Sequence, residues 1–145
     1  MRDENICKLS AKVTRIIDCG ISLDIIFFGK IAISPQGLRL DILFEGILEG
    51  KLAGRVSGVD YIRIRADGRV DLDIRAVIET NDNHRIAFSA TGVAKPHSSE
   101  PVAEIYENIT LLTAAEKYNW VNTQQIWGTG LINFIAGKID VNMYA

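Results

Sequence analysis

Asp60 stands where an apolar residue is expected. Between Val59 and Gly92 the residues Ile62, Ile64, Val70, Leu72, Ile74, Ala76 and Ile78 recur at every second position, the spacing of side chains that share one face of a strand. Asp60 falls in that same phase. A carboxyl group held on an apolar face keeps its proton more tightly than one in water, and could act as an acid, a base or a hydrogen-bonding anchor. A plainer role competes with this one, because Asp60 closely follows Gly58 near a strand start, where carboxylates commonly satisfy turn amides.

Two further groups of residues have the right chemistry for a ligand. Arg75 falls in the opposite phase, beside Tyr61, Arg63, Asp71 and Asp73. Such a row is either a solvated surface of weak ion pairs or, if that face lines the interior, an anion-binding wall. The alternation leaves open which face is inward. The segment Tyr118-Asn119-Trp120-Val121-Asn122, with Gln125 and Trp127 after it, sets amides beside large rings. Tyr118, Trp120, Asn122 and Gln125 are therefore candidate contacts for a small organic ligand, while the rings could equally plug one end of a core.

Familiar catalytic signatures are absent. There is no phosphate-cradling loop, nucleophile elbow, zinc-protease helix or Cys-x-x-Cys pair. Gly128-Thr129-Gly130 is followed by neither a lysine nor a helix start and reads as a bend. Cys7 and Cys19 do not make a metal-ligand spacing and read as reduced thiols. His84 and His97 fall in predicted loops and read as solvated. The sequence therefore calls for no metal and no cofactor.

The elements that must position these residues are hairpins. Around Ala66-Asp67-Gly68, a two-residue loop would set Ile64 against Asp71, whereas a three-residue loop with Gly68 in the left-handed position sets Ile64 against Val70, Ile62 against Leu72 and Arg63 against Asp71. The second register keeps each face chemically uniform and is the expected one. Asn81-Asp82-Asn83 repeats the pattern, pairing Ile78 with Ile86, Ala76 with Phe88 and Glu79 with Arg85. A two-residue loop at Ala136-Gly137 would pair Phe134 with Ile139 and Ile132 with Val141. Residues 6–17 and 38–52 also read as strands, broken by glycines that a curling sheet needs. Thr113-Ala114-Ala115-Glu116 suggests one capped helical turn, and residues 95–101 suggest an exposed loop. These elements add up to an all-β fold, a single antiparallel up-and-down β-barrel with one short helical turn, formed by one domain over residues 1–145.

Composition narrows the partners. The chain has 145 residues, 48% of them hydrophobic and 23% charged, with a net charge of -2. That balance offers no general attraction to nucleic acid or an anionic membrane. The N-terminus has no apolar core of a secretory signal, and the most apolar stretch, residues 21–28, is interrupted by Asp24 and far too short to span a bilayer. It is expected in the core, and the protein in the cytoplasm.

The residues GKLAGRVSGVDYIRIRADGRVDLDIRAVIETNDNHRIAF, then YNWVN and GTG, resemble a bacterial family catalogued as a domain of unknown function, number three-two-three-seven. The resemblance rests on Gly50, Gly54, Gly58, Asp60, Tyr61, Asp67, Gly68, Arg75, Thr80, Asp82, Tyr118, Trp120, Asn122, Gly128 and Gly130, and the chain departs from the pattern at Asn83, where glycine is usual. It implies a small β-barrel similar in architecture to allene oxide cyclase and dirigent proteins, with no established general activity. Two functions are compatible with the residues. One is a barrel that binds a small apolar or aromatic metabolite and performs a cofactor-free isomerisation, cyclisation or hydration with Asp60 as acid or base. The other is a non-catalytic module that self-associates as a homo-oligomer.

Overall fold

A computed structural model describes residues 4–22, 33–97 and 99–145. Their strands are β1 (Asn5–Asp18), β2 (Leu38–Gly50), β3 (Gly54–Ile64), β4 (Val70–Thr80), β5 (Arg85–Pro96), β6 (Val102–Leu112), β7 (Ile126–Asn133) and β8 (Lys138–Tyr144). Each pairs antiparallel with its sequence neighbour, and β1 pairs with β8, so the sheet closes as an up-and-down barrel. Closure leaves no open edge. Most of the stretch 21–28, expected in the core, lies outside the described residues.

Period-two alternation decides what is inside. Ile62, Ile64, Val70, Leu72, Ile74, Ile78, Ile86 and Phe88 are all buried and belong to one core, while Arg63, Arg75, Glu79 and Arg85 on the opposite phase are exposed. The apolar face is therefore inward, and Arg75 points out. Burying one such side chain contributes roughly 1.5–3 kcal/mol, so a one-residue slip would be very costly.

The first two turns form as expected. Gly68 takes φ +88°, Arg65 N–H donates to the Arg69 carbonyl at 2.8 Å, and Ile64 sits opposite Val70 with Arg63 opposite Asp71. Asn83 takes φ +67°, and Ala76, Ile78 and Glu79 face Phe88, Ile86 and Arg85. The third register differs. Ile132 pairs with Ile139 and Gly130 with Val141, two residues from the expected alignment. Asn133 is the cause. Its Oδ1 accepts the N–H groups of Ile135 and Ala136 at 3.1 and 3.0 Å, and its carbonyl accepts that of Gly137 at 2.9 Å. This asparagine turn ends the strand early. Because the shift is even, the buried set stays inside.

The helical element also moves. Instead of a turn at Thr113–Glu116, a 3-10 helix covers Glu116–Thr123 and contains the aromatic and amide segment itself. Thr113 is buried and otherwise engaged, its hydroxyl donating to the Arg85 carbonyl at 2.8 Å. The expected loop at 95–101 is shorter, since β5 runs on to Pro96.

The two barrel ends are thus unlike. At one end the β2–β3 turn, the β4–β5 turn and the 3-10 helix gather, with Leu52, Val121 and Ile126 fully buried. At the other, strand connections are made at residues 65–69 and 134–137 and after Pro96 at the end of β5. No helix among the described residues is long and apolar enough to cross a membrane.

Candidate active site

A narrow cavity lies inside the barrel, about 30 Å³ as measured to the centre of a water molecule. A single water needs roughly 10–15 Å³ on that measure, so the space as it stands takes two or three waters, and an organic molecule enters only by displacing lining side chains. Its lining extends to Pro96, Val70, Phe134 and Ile139, which lie beside the turns of the end away from the 3-10 helix. Its inner limit is set by a row across four strands, in which Phe44 faces Gly58, Gly58 faces Ala76 and Ala76 faces Phe88. Small residues occupy the middle of that row of necessity. A Cβ on Gly58 would lie 2.3 Å from the Arg75 carbonyl oxygen and 2.5 Å from the Ala76 Cβ.

Two carboxyl groups, Asp60 and Glu107, are the ionisable members of this lining. Asp60 comes from the middle of β3, one step outward from the Phe44–Phe88 row, opposite Ile42 and Ile74. The β3–β4 ladder is interrupted beside it, with no pairing at Tyr61 and Ile62. The expected facing of Ile62 and Leu72 falls in this gap. There the Asp73 N–H donates to Asp60 Oδ1 at 3.2 Å, so the side chain replaces a strand acceptor. Burial pushes Asp60 up to about 7, against the opposing effect of that N–H bond.

Glu107 comes from the middle of β6 between Gly92 and Gly128 on the flanking strands. It is one of three buried polar residues among those described, with Thr80 and Thr113. Its carboxyl makes no hydrogen bond among the described residues, and since no fully buried side-chain nitrogen or oxygen there lacks a partner, its oxygens are reachable by water. Burial, and then the charge of Asp60, push it up to about 8. The two groups therefore interact across the cavity. Both shifts favour the protonated form, with Asp60 the member that accepts a backbone N–H.

The other sequence candidates lie elsewhere. Arg75 is exposed on the outer wall, 3.8 Å from Asp73 Oδ1, in an open groove with Arg39, Tyr61 and Arg63. Tyr118 donates its hydroxyl to Asp82 Oδ1 at 2.8 Å and meets the His84 ring edge-on at 5.6 Å. Trp120 packs partly buried against the core. Asn122 grips the Thr113 backbone, accepting from its N–H at 2.8 Å and donating to its carbonyl at 2.9 Å. Gln125 donates to Asn108 Oδ1 at 2.7 Å on the outer surface. None of these five lines the cavity. Asp60 does, and its partner Glu107 went unread. Yet the signal was present, because Ala103, Ile105, Glu107, Ile109 and Leu111 alternate just as the residues around Asp60 do.

Other chemistry has little footing among the described residues. No cluster of three or more His, Cys, Asp or Glu side chains is placed to hold a metal. Cys7 is buried, its thiol pushed up to about 12 by burial, with Sγ 3.4 Å from Met143 Sδ. It is a poor nucleophile. Cys19 is exposed and unpaired.

Comparison with other proteins gives a family and a fold. The sequence pattern of the family described as "Protein of unknown function (DUF3237)" matches residues 21–144. The hydroalkoxylation enzyme phnH of Penicillium herquei is 33% identical over 92 residues, 62% of this chain and 55% of that protein. The chain thus spans little more than half the length of that relative. A protein of unknown function from Clostridium acetobutylicum superposes with a TM-score of 0.79 at 19% identity, covering 99% of this chain and 97% of the other. A β-barrel-like protein from Acinetobacter baumannii superposes at 0.78 and 20% identity, covering 99% and 94%. At these identities the structural likenesses show the fold alone.

Proposed function

Since the chain belongs to the DUF3237 family, we propose that its barrel interior is a site for cofactor-free acid–base chemistry on a small, mainly apolar substrate, with Asp60 and Glu107 as the working pair. The observation that carries this reading is the cavity itself, an apolar lumen whose ionisable groups are two facing carboxyls. A carboxyl with a pKa near 7 or 8 matches the pH at which it would give and recover a proton, the condition for efficient general acid–base catalysis.

The relative called a hydroalkoxylation enzyme favours one member of this reaction class, the addition of a hydroxyl group across a carbon–carbon double bond within one molecule. In that step the Glu107 O–H gives its proton to one alkene carbon while the substrate oxygen bonds to the other. The hydroxyl proton passes to the Asp60 carboxylate, and proton exchange with water returns the pair to its starting state. No oxidant or reductant is required. The substrate hydroxyl and alkene are brought together by apolar walls, and proximity contributes much of the acceleration.

The test uses 2-allylphenol in deuterated water with the whole chain. The expected result is the isomeric cyclic ether carrying one carbon-bound deuterium, formed by the native chain and lost in Asp60→Asn and Glu107→Gln. Undiminished formation in both folded variants would overturn the assignment.

A second reading concerns assembly. Trp127 and Leu131 are about half exposed on β7, and Tyr106 beside them faces Thr129 and Val93. This apolar strip supports self-association of the barrel with a second copy through its outer wall. The charged row fits that role less well, since Arg39, Arg69 and Arg75 each pair with an aspartate two residues away. Sedimentation showing a monomer at high micromolar concentration would remove the reading.

A further inference from the structure

We infer that the lumen selects an uncharged, elongated apolar molecule that enters with a hydroxyl or carbonyl group leading, and that it rejects anions. The inference rests on the reading of the lumen as the substrate site and adds which molecules that site admits.

The lining supplies the argument. Outward from the carboxyl pair the wall consists of apolar side chains, among them Leu40, Ile62, Val70, Ile105, Pro96 and Phe134. An entering molecule is therefore stripped of water before it reaches a polar group, and a charge carried along that path loses its hydration without compensation. Among the described residues no lysine, arginine or histidine belongs to the lining. The arginines of β2 to β4 are on the outer phase, Arg39 and Arg69 in hydrogen-bonded pairs with Asp41 and Asp71. A carboxylate or phosphate at the deep end would meet two carboxyl groups and no countercharge, an unfavourable pairing.

The deep end also states what it lacks. Glu107 is buried without a hydrogen-bond partner among the described residues, and Asp60 has one oxygen engaged by the Asp73 N–H. A protonated carboxyl offers one donor and one acceptor. A hydroxyl or carbonyl brought to it completes its bonding, whereas an apolar leading end leaves a buried polar group unsatisfied. Phe44 and Phe88 limit the depth of insertion, so the apolar body of the ligand must trail toward Pro96 and the turn at 134–137.

Three probes with one apolar body separate the possibilities: 4-ethylphenol, 4-ethylbenzoate and 4-ethylbenzylamine. Binding to the full chain is followed at pH 6.5 by the NMR shifts of isoleucine methyl groups, with Ile62, Ile105 and Ile132 reporting the lumen. The expected result is that the phenol binds about tenfold or more tightly than either charged probe. Replacing Asp60 by Asn should leave the phenol's advantage over the benzoate within about threefold at this pH, since Asp60 with a pKa raised to about 7 is already largely uncharged, with circular dichroism confirming the barrel. Equal binding of phenol and benzoate, or tighter binding of either charged probe, overturns the selection while leaving the lumen a binding site. Failure of all three probes to shift any lumen methyl overturns it together with the reading beneath it. Because binding is read without turnover, the allylphenol reaction can fail while this selection holds.

Discussion

Asp60 and Asp82 are only 22 residues apart (82 minus 60), yet the barrel treats them in opposite ways. Asp60 projects into the lumen, where burial raises its pKa to about 7. Asp82 sits in the β4–β5 turn at the closed end, where Lys117, Thr80 and Tyr118 donate to it and hold it well below the usual carboxylate range. The difference teaches where chemistry is available. At the closed end Asp82 is committed to Lys117 and Tyr118 and Asn122 to the Thr113 backbone. In the lumen one carboxyl keeps a single backbone bond and the other none.

The comparison breaks most readily by neutralising the lumen. Asp60→Asn and Glu107→Gln should each reduce turnover by about 10²- to 10⁴-fold, the usual contribution of a positioned acid or base, with secondary structure unchanged by circular dichroism. The closed-end variant Asp82→Asn should leave turnover within about twofold of the native chain, since it touches nothing in the lumen. Equal losses at the two ends would show that activity tracks stability alone.

The next effect is on stability and its sign is fixed by the direction of the shifts. Asp60 and Glu107 have folded-state pKa values raised above their usual 3.8 and 4.5, so the unfolded chain releases their protons first. Folding stability is then highest below about pH 4 as far as these groups are concerned, and falls as pH rises toward 8, by an amount on the order of 2–4 kcal/mol for the coupled pair. Urea denaturation at pH 5 and pH 9 measures it. Glu107→Gln should remove about half of the slope, Asp60 keeping its own share, and stabilise the chain at pH 9.

How much of this was legible before the coordinates follows from the same two carboxyls. The barrel was readable because inward residues alternate and turns at Gly68 and Asn83 fix the register. Asp60 was readable because it breaks an apolar phase that hairpin pairing defined. Glu107 breaks an equally clear phase, but β6 ends in the 3-10 helix rather than a hairpin, so no turn drew attention to its register. The rings and amides of 118–125 lie at the 3-10 helix rather than in the lumen, for a physical reason. A 3-10 helix closing a barrel needs both large side chains and backbone-gripping amides, the same chemistry a ligand pocket uses. Their composition alone could not separate the two tasks.

Smaller effects sharpen the closed end. Asn122→Ala removes both bonds to the Thr113 backbone and should cost about 1–3 kcal/mol in urea unfolding, with 4-ethylphenol affinity unchanged. Asp82→Asn should lower the melting temperature least. Its lowered pKa stabilises the fold above the ordinary carboxylate range and loses that effect as pH falls through it. The difference from the native chain should shrink below pH 3 and in 1 M salt, where exposed pairs are screened.

The most direct measurement is a ¹³C NMR titration of the side-chain carboxyl carbons, with Asp60→Asn and Glu107→Gln used for assignment. Two carboxyls titrating near pH 7 and 8, with Glu107 moving downward when Asp60 is neutralised, are the predicted result. Both groups titrating below pH 5, independently of one another, would contradict the account.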